Sequence, residues 1–218
     1  MTKPLFITFE GGEGGGKTTQ AELLSNWMKD RNISHCLTKE PGDPKIAECA
    51  KLRKLLLDPE NDLVPSSELF LFLADRAQHV EKLIKPEMKA GNHVICDRYT
   101  DSTRVYQIAA RGFSRTKLDP LLVFATGGLM PDITFLLDVP VDVGLERARA
   151  KSIYKDGDRM ERENAEYHEK VRQGFLRLAT SLSEQGRVVR IDAAPPKTIE
   201  EVHNEVVKHI SKRLWFND

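Results

Sequence analysis

Gly11-Gly12-Glu13-Gly14-Gly15-Gly16-Lys17-Thr18 has the spacing G-x-x-x-x-G-K-T and directly follows the apolar run 5–9. A buried strand entering glycines and then a helix turns backbone N–H groups toward anionic oxygens. Glycines permit φ values and close approaches that a Cβ forbids. In such a loop Lys17 reaches the β and γ phosphates of a nucleoside triphosphate, and the Thr18 hydroxyl helps hold Mg²⁺. Asp97-Arg98-Tyr99 stands at the carboxyl end of another apolar run, 93–96. Open α/β sheets bind ligands at that end. Arg98 can clamp a phosphate dianion through two parallel bonds, and Asp97 can position the metal or orient the arginine. A plain ion pair is the competing interpretation. Phe72 and Arg76, four residues apart, share one helix face. Ring and guanidinium could stack on a flat base and bond its edge. They could equally be a core ring and its covering stem.

The elements needed to position these groups alternate along the chain. Strands are predicted at 5–9, 34–39, 93–96, 133–137 and 188–191, with helices at 17–31, 46–57 and from 65 to about 85. Thr198-Ile199-Glu200-Glu201 forms a capping box that opens a C-terminal helix. Near-continuous apolar strands alternating with helices indicate an α/β fold, a five-stranded parallel sheet with helices on both faces. The 218 residues are expected to form one domain.

Lys plus Arg and Asp plus Glu number 33 each, so net charge is zero. That balance argues against a bulk basic surface for nucleic acid. Three dispersed cysteines, Cys36, Cys49 and Cys96, fit a reduced cytoplasmic chain better than a disulfide framework or a zinc site. No secretion signal or membrane span is expected.

Thr116-Lys117-Leu118-Asp119 looks like a guanine-reading element, but no Asp is followed by Gly three residues later, so a γ-phosphate sensor is missing. A helix start fits that stretch better. The charged segment 151–162 would be a solvated loop in most proteins. Beside a triphosphate loop it suits a lid that carries arginines to the transferring phosphoryl group.

In order and spacing, several pieces resemble the bacterial thymidylate kinases, a phosphate-loop kinase family. They are residues 10–19, 38–42, 55–57, 72–78, 97–107, 111–112, 131–138, 144–149 and 158–159. The resemblance implies transfer of the γ-phosphoryl group of ATP to dTMP, with Mg²⁺, in a cytoplasmic homodimer. It implies ATP binding by Gly11, Gly12, Glu13, Gly14, Gly15, Gly16, Lys17, Thr18 and Arg147, with Arg149 near the lid hinge and 192–195 bordering adenine. It places dTMP against Glu40, Phe72, Arg76, Arg98, Ser102, Thr103, Tyr106 and Gln107. Thr18 and Asp97 are the expected metal partners. Lys17, Asp97, Arg98 and Arg159 are the expected catalytic set. Because residues 12–15 contain no arginine, the lid must supply one; Arg159 is the choice, with Arg162 and then Lys155 behind it. Lys39 and Asp43 depart from the family's Arg-Glu-Pro-Gly-Gly pattern, and Arg104-Val105 replaces small residues. Other expectations remain: a kinase for a different nucleoside monophosphate, or a nucleotide-binding regulator without an acceptor. A homodimer face could include Leu69, Phe70, Leu71 and Val105, or those side chains could all be core.

Overall fold

The computed structural model describes residues 3–152, 154, 157–181 and 184–215. Five parallel strands, β1 (Phe6–Glu10), β2 (His35–Lys39), β3 (His93–Asp97), β4 (Ile133–Asp138) and β5 (Val188–Asp192), form one sheet in the order β2-β3-β1-β4-β5. Every residue of β1, β3 and β4 is buried, while edge strands β2 and β5 are partly exposed. Continuous apolar sequence in the central strands is therefore what two covered faces demand.

Alternation along β1 assigns the faces. Ile7 and Phe9 pack with Ala21, Leu24 and Met28 of α1 (Lys17–Lys29), and with Val202, Val206 and Ile210 of the C-terminal helix. Phe6 points the other way, to Val94, Cys96, Tyr99 and Val80. Replacing the fully buried Leu24 with Ala would cost about 2–5 kcal/mol.

Two further helices, α2 (Ala47–Leu57) and α3 (Pro65–His79), follow β2. The predicted helix from 65 runs past 85: α3 continues through a π-helical turn, Val80–Ile84, into α4 (Lys85–Lys89). After β3, α5 (Thr100–Arg104) also passes into a π-helical turn, Val105–Ala110. Next comes α6 (Arg115–Thr126), whose opening residues include Thr116–Asp119, consistent with a helix start. The chain then runs through α7 (Val141–Arg149), α8 (Ala165–Thr180) and α9 (Ile199–Trp215). The capping box forms: Thr198 Oγ1 accepts from Glu201 N, and Glu201 Oε2 accepts from Thr198 N. Leu69 and Val105 prove to be core, whereas Phe70 is exposed.

Candidate active site

The glycine-rich loop leaves β1 at the carboxyl edge of the sheet, between β3 and β4. It lies against α7 with no side chain between. A Cβ on Gly14 would sit 1.9 Å from the Gly144 carbonyl oxygen, and one on Gly144 would sit 2.4 Å from that of Glu13. Gly16, at φ 88°, opens α1, whose first turn contains Lys17 and Thr18 and no acidic residue. Free amides and a basic first turn suit an anion.

Two cavities meet at this loop. The larger, about 780 Å³, is lined by Gly14, Gly15, Gly16, Lys17, Thr18 and Asp97, with Lys39, Arg147, Lys151 and Ala193 farther out. The smaller, about 120 Å³, is lined by Glu40, Phe72, Arg76, Ser102, Thr103, Tyr106 and Gln107. Glu13, Arg53, Arg98 and Asp158 line both.

Arg98 adopts φ 70°, costly for a residue bearing a Cβ. Its guanidinium donates to Gly11 O at 2.9 Å, Ser102 Oγ at 3.1 Å and both oxygens of Glu13 at 2.9 Å. Glu13 also accepts from the Tyr106 phenol at 2.7 Å. Burial alone would raise the Glu13 carboxyl, but Arg98, Lys17 and that phenol outweigh it and hold the group at about 2. Sequence reasoning placed Glu13 with the donor nucleotide; it lines the larger cavity and the smaller one as well.

Arg76 is not a snorkelling cover. It is buried and donates to Glu40 Oε2 (2.8 Å), Thr103 Oγ1 (2.6 Å) and Tyr99 O (3.0 Å). The second Glu40 oxygen lies 2.8 Å from His79 Nδ1. Phe72 lines the same cavity, so the i, i+4 pair does present one face to it. Glu10, beneath α5, accepts from Tyr99 N, Ser102 N and Ser102 Oγ. Burial, then the charge of Asp101, pushes its carboxyl up to about 7.

Thr18 donates to Asp97 Oδ2 at 2.5 Å, while the buried Asp97 Oδ1 has no partner among the described residues. A hydroxyl and an unsatisfied carboxylate oxygen fit a hard cation. Lys17 Nζ donates to Gly12 O at 2.6 Å.

Arg159 stands elsewhere. It donates to Leu56 O at 2.8 Å and Glu68 Oε2 at 2.6 Å, and lines neither cavity. Arg162 bonds Gly157 O, and Arg149 is exposed outside both cavities. Lys155 lies outside the described residues. Arg147 donates to Ala193 O at the far end of the larger cavity. Asp43 is absorbed by its own loop, accepting from Thr38 Oγ1 and Lys45 N. Arg104 is occupied with Asp119.

The sequence reading missed Arg53 and Glu68, and did not single out Lys151 within the segment 151–162. Arg53 donates to Pro41 O, and Gly42 makes room for it: a Cβ there would lie 2.1 Å from the Arg53 Cβ. Its position three residues before buried Leu56 was the available signal. Glu68 is fully buried and accepts from Gln107, Arg111 and Arg159. Burial raises its carboxyl, but bonds from Arg111, Gln107 and Arg159 bring it below the usual value.

A phosphate loop at the carboxyl edge of a parallel sheet, joined through shared guanidinium groups to a smaller second cavity, fits a small-molecule kinase. Comparison with known proteins narrows the class. The family profile described as thymidylate kinase matches residues 9–206. The chain is 49% identical to the thymidylate kinase of Carboxydothermus hydrogenoformans over 80% of its length and 83% of that protein's. It is 42% identical to that of Trichodesmium erythraeum over 96% of both. It is 43% identical to that of Halothermothrix orenii over 93% of this chain and 94% of the relative. The chain belongs to the thymidylate kinase family.

Proposed function

We propose that this chain is a dTMP kinase, transferring the γ-phosphoryl group of ATP to dTMP to give dTDP and ADP. The observation that carries the reading is the meeting of two unlike cavities across Glu13, Arg53, Arg98 and Asp158. ATP takes the larger cavity, with its phosphates on the loop amides and Lys17. The monophosphate takes the smaller one. Its base lies against Phe72, with Arg76, Thr103 and Gln107 at the edge, and Glu40 holds Arg76 in place. Its phosphate is drawn to Arg98 and Arg53. The Glu13 carboxylate accepts from a sugar hydroxyl, and Tyr106 closes the sugar face where a 2′-hydroxyl would crowd.

Transfer then needs positioning and charge stabilisation, with no covalent intermediate. Arg98 and Lys17 flank the gap between the two phosphates. Thr18 and Asp97 would hold Mg²⁺, which when bound neutralises charge on the β and γ oxygens.

The segment 151–162 acts as a lid. Arg159 is the expected lid cation, but reaching the phosphates requires it to leave Glu68 and Leu56. A second reading favours Lys151, which already lines the donor cavity. A cytoplasmic location accords with three free cysteines. A homodimer accords with Phe70 and Phe124, 59% and 88% exposed on adjacent helices α3 and α6.

The test is a side-by-side comparison of dTMP, dUMP, UMP and AMP as acceptors, with melting curves for each. The expected result is highest turnover with dTMP and a dTMP-dependent rise in Tm. Preference for UMP removes the role given to Tyr106; no shift with any monophosphate favours a regulator without an acceptor.

A further inference from the structure

The Glu68 carboxylate has no exposure and no role in the transfer itself, yet all its acceptor positions are filled. Oε1 accepts from Gln107 Nε2 at 2.9 Å and Arg111 Nε at 3.3 Å. Oε2 accepts from Arg111 NH2 at 3.0 Å and Arg159 NH1 at 2.6 Å. Two arginines thus hold the carboxylate in one orientation. A carboxylate can only accept, so it fixes the Gln107 amide with its NH₂ toward α3. The Gln107 oxygen is then the free end. It is buried, has no partner among the described residues, and belongs to a residue lining the acceptor cavity.

We propose that Glu68 is a positioning residue for base selection: by fixing the orientation of the Gln107 amide, it makes the pocket present an acceptor to the base. An acceptor complements the N3–H of a thymine-type imide and opposes the bare N3 of cytosine. Burying an unsatisfied polar group is costly, so the orientation discriminates between the two pyrimidines. This inference rests on the smaller cavity being the monophosphate site.

The experiment compares kcat and KM for dTMP and dCMP in the full-length chain. In Glu68→Gln the partner amide can donate as well as accept, so the orientation is no longer imposed. The ratio of kcat/KM for dTMP over dCMP should fall about tenfold or more, with dTMP KM rising and kcat changing less than about threefold. Glu68→Asp keeps the charge for Arg111 and Arg159 while drawing back from Gln107, so it remains informative if Glu68→Gln does not fold. It should lower the ratio in the same way. On a Gln107→Met background, replacing Glu68 should change the ratio no further. An unchanged ratio in a folded Glu68 variant, or an equal fall on that background, overturns the proposal. Phe72→Ala separates the two ideas: normal dTMP KM there defeats the site assignment, whereas a raised KM with an unmoved ratio in Glu68→Gln defeats this inference alone.

Discussion

The acceptor cavity and the donor cavity share Arg98 but are built by opposite means. The acceptor side is walled by charged side chains already paired with one another, Arg76 with Glu40 and Glu13 with Arg98, and is backed behind Gln107 by Glu68 paired with Arg111. The donor side is a larger groove of glycine main chain with dispersed lysines, arginines and carboxylates. The first arrangement supplies fixed directions, which select a shape and a bonding edge. The second supplies a field, which grips phosphates of many esters. Selectivity in this chain should therefore reside with the acceptor and affinity for charge with the donor.

Substitution at the shared residue should break the contrast most severely. Arg98→Ala strips Glu13 of its partly buried partner and removes a cation shared by both cavities. Removing one member of a fully buried pair costs about 3–5 kcal/mol, and this partly exposed pair should cost less. Urea unfolding should register that loss, and kcat/KM for dTMP should fall by roughly 10²–10³ or more. A fall confined to ATP KM would show that Arg98 serves the donor side only.

Next in size is the contest over the lid cation. Alanine at the residue that neutralises the transferring group should lower kcat by about 10³ or more, while dTMP affinity changes little. Geometry favours Lys151→Ala over Arg159→Ala for this effect. If Arg159→Ala shows the larger drop, the segment rearranges on filling, and Glu68 releases its arginine during turnover.

The mildest test compares two carboxylates near Arg98. Glu10 stands at about 7 in the fold against 4.5 when unfolded, so the folded chain holds an extra proton between those values. Its contribution to stability is present below about 4.5 and is lost as pH rises toward 7. Glu13, at about 2, contributes above 4.5 and loses its contribution as pH falls toward 2. Glu10→Gln should therefore show a shallower decline in unfolding free energy between pH 5 and 7.5 than the wild type. Glu13→Gln should flatten the profile below pH 4.5 instead. Parallel profiles for Glu10→Gln and the wild type would show that Glu10 does not titrate as described.

Much of the fold was legible because its signals are local. An apolar run, a glycine loop and Lys-Thr lie within fourteen residues and define the donor site without reference to the rest. The central strands lie within one residue of their predicted ends, since burial on both faces leaves an unbroken apolar string. Helix α1 stops two residues short of the predicted end at 31, where Arg31 and Asn32 turn the chain and Asn32 has φ 54°. Phe72, Arg76, Thr103, Tyr106 and Gln107, which line the smaller cavity, were named through family resemblance and one helical spacing. The partners that hold them were not. Glu10, Arg53, Glu68 and His79 carry no local motif, and their importance arises only when distant segments meet. The Arg159–Glu68 ion pair was not legible for the same reason: nothing near Arg159 in sequence reveals the carboxylate on α3 that binds it.

Finally, main chain rests on main chain where Gly14 meets Gly144. No compressible side chain cushions that junction, so the phosphate loop and the helix bearing Arg147 must shift together as one plate. Ligand pressure at one end of the ATP groove would thus be felt at the other as displacement rather than absorbed as repacking. Even a methyl group at either glycine should disturb nucleotide binding along the whole groove.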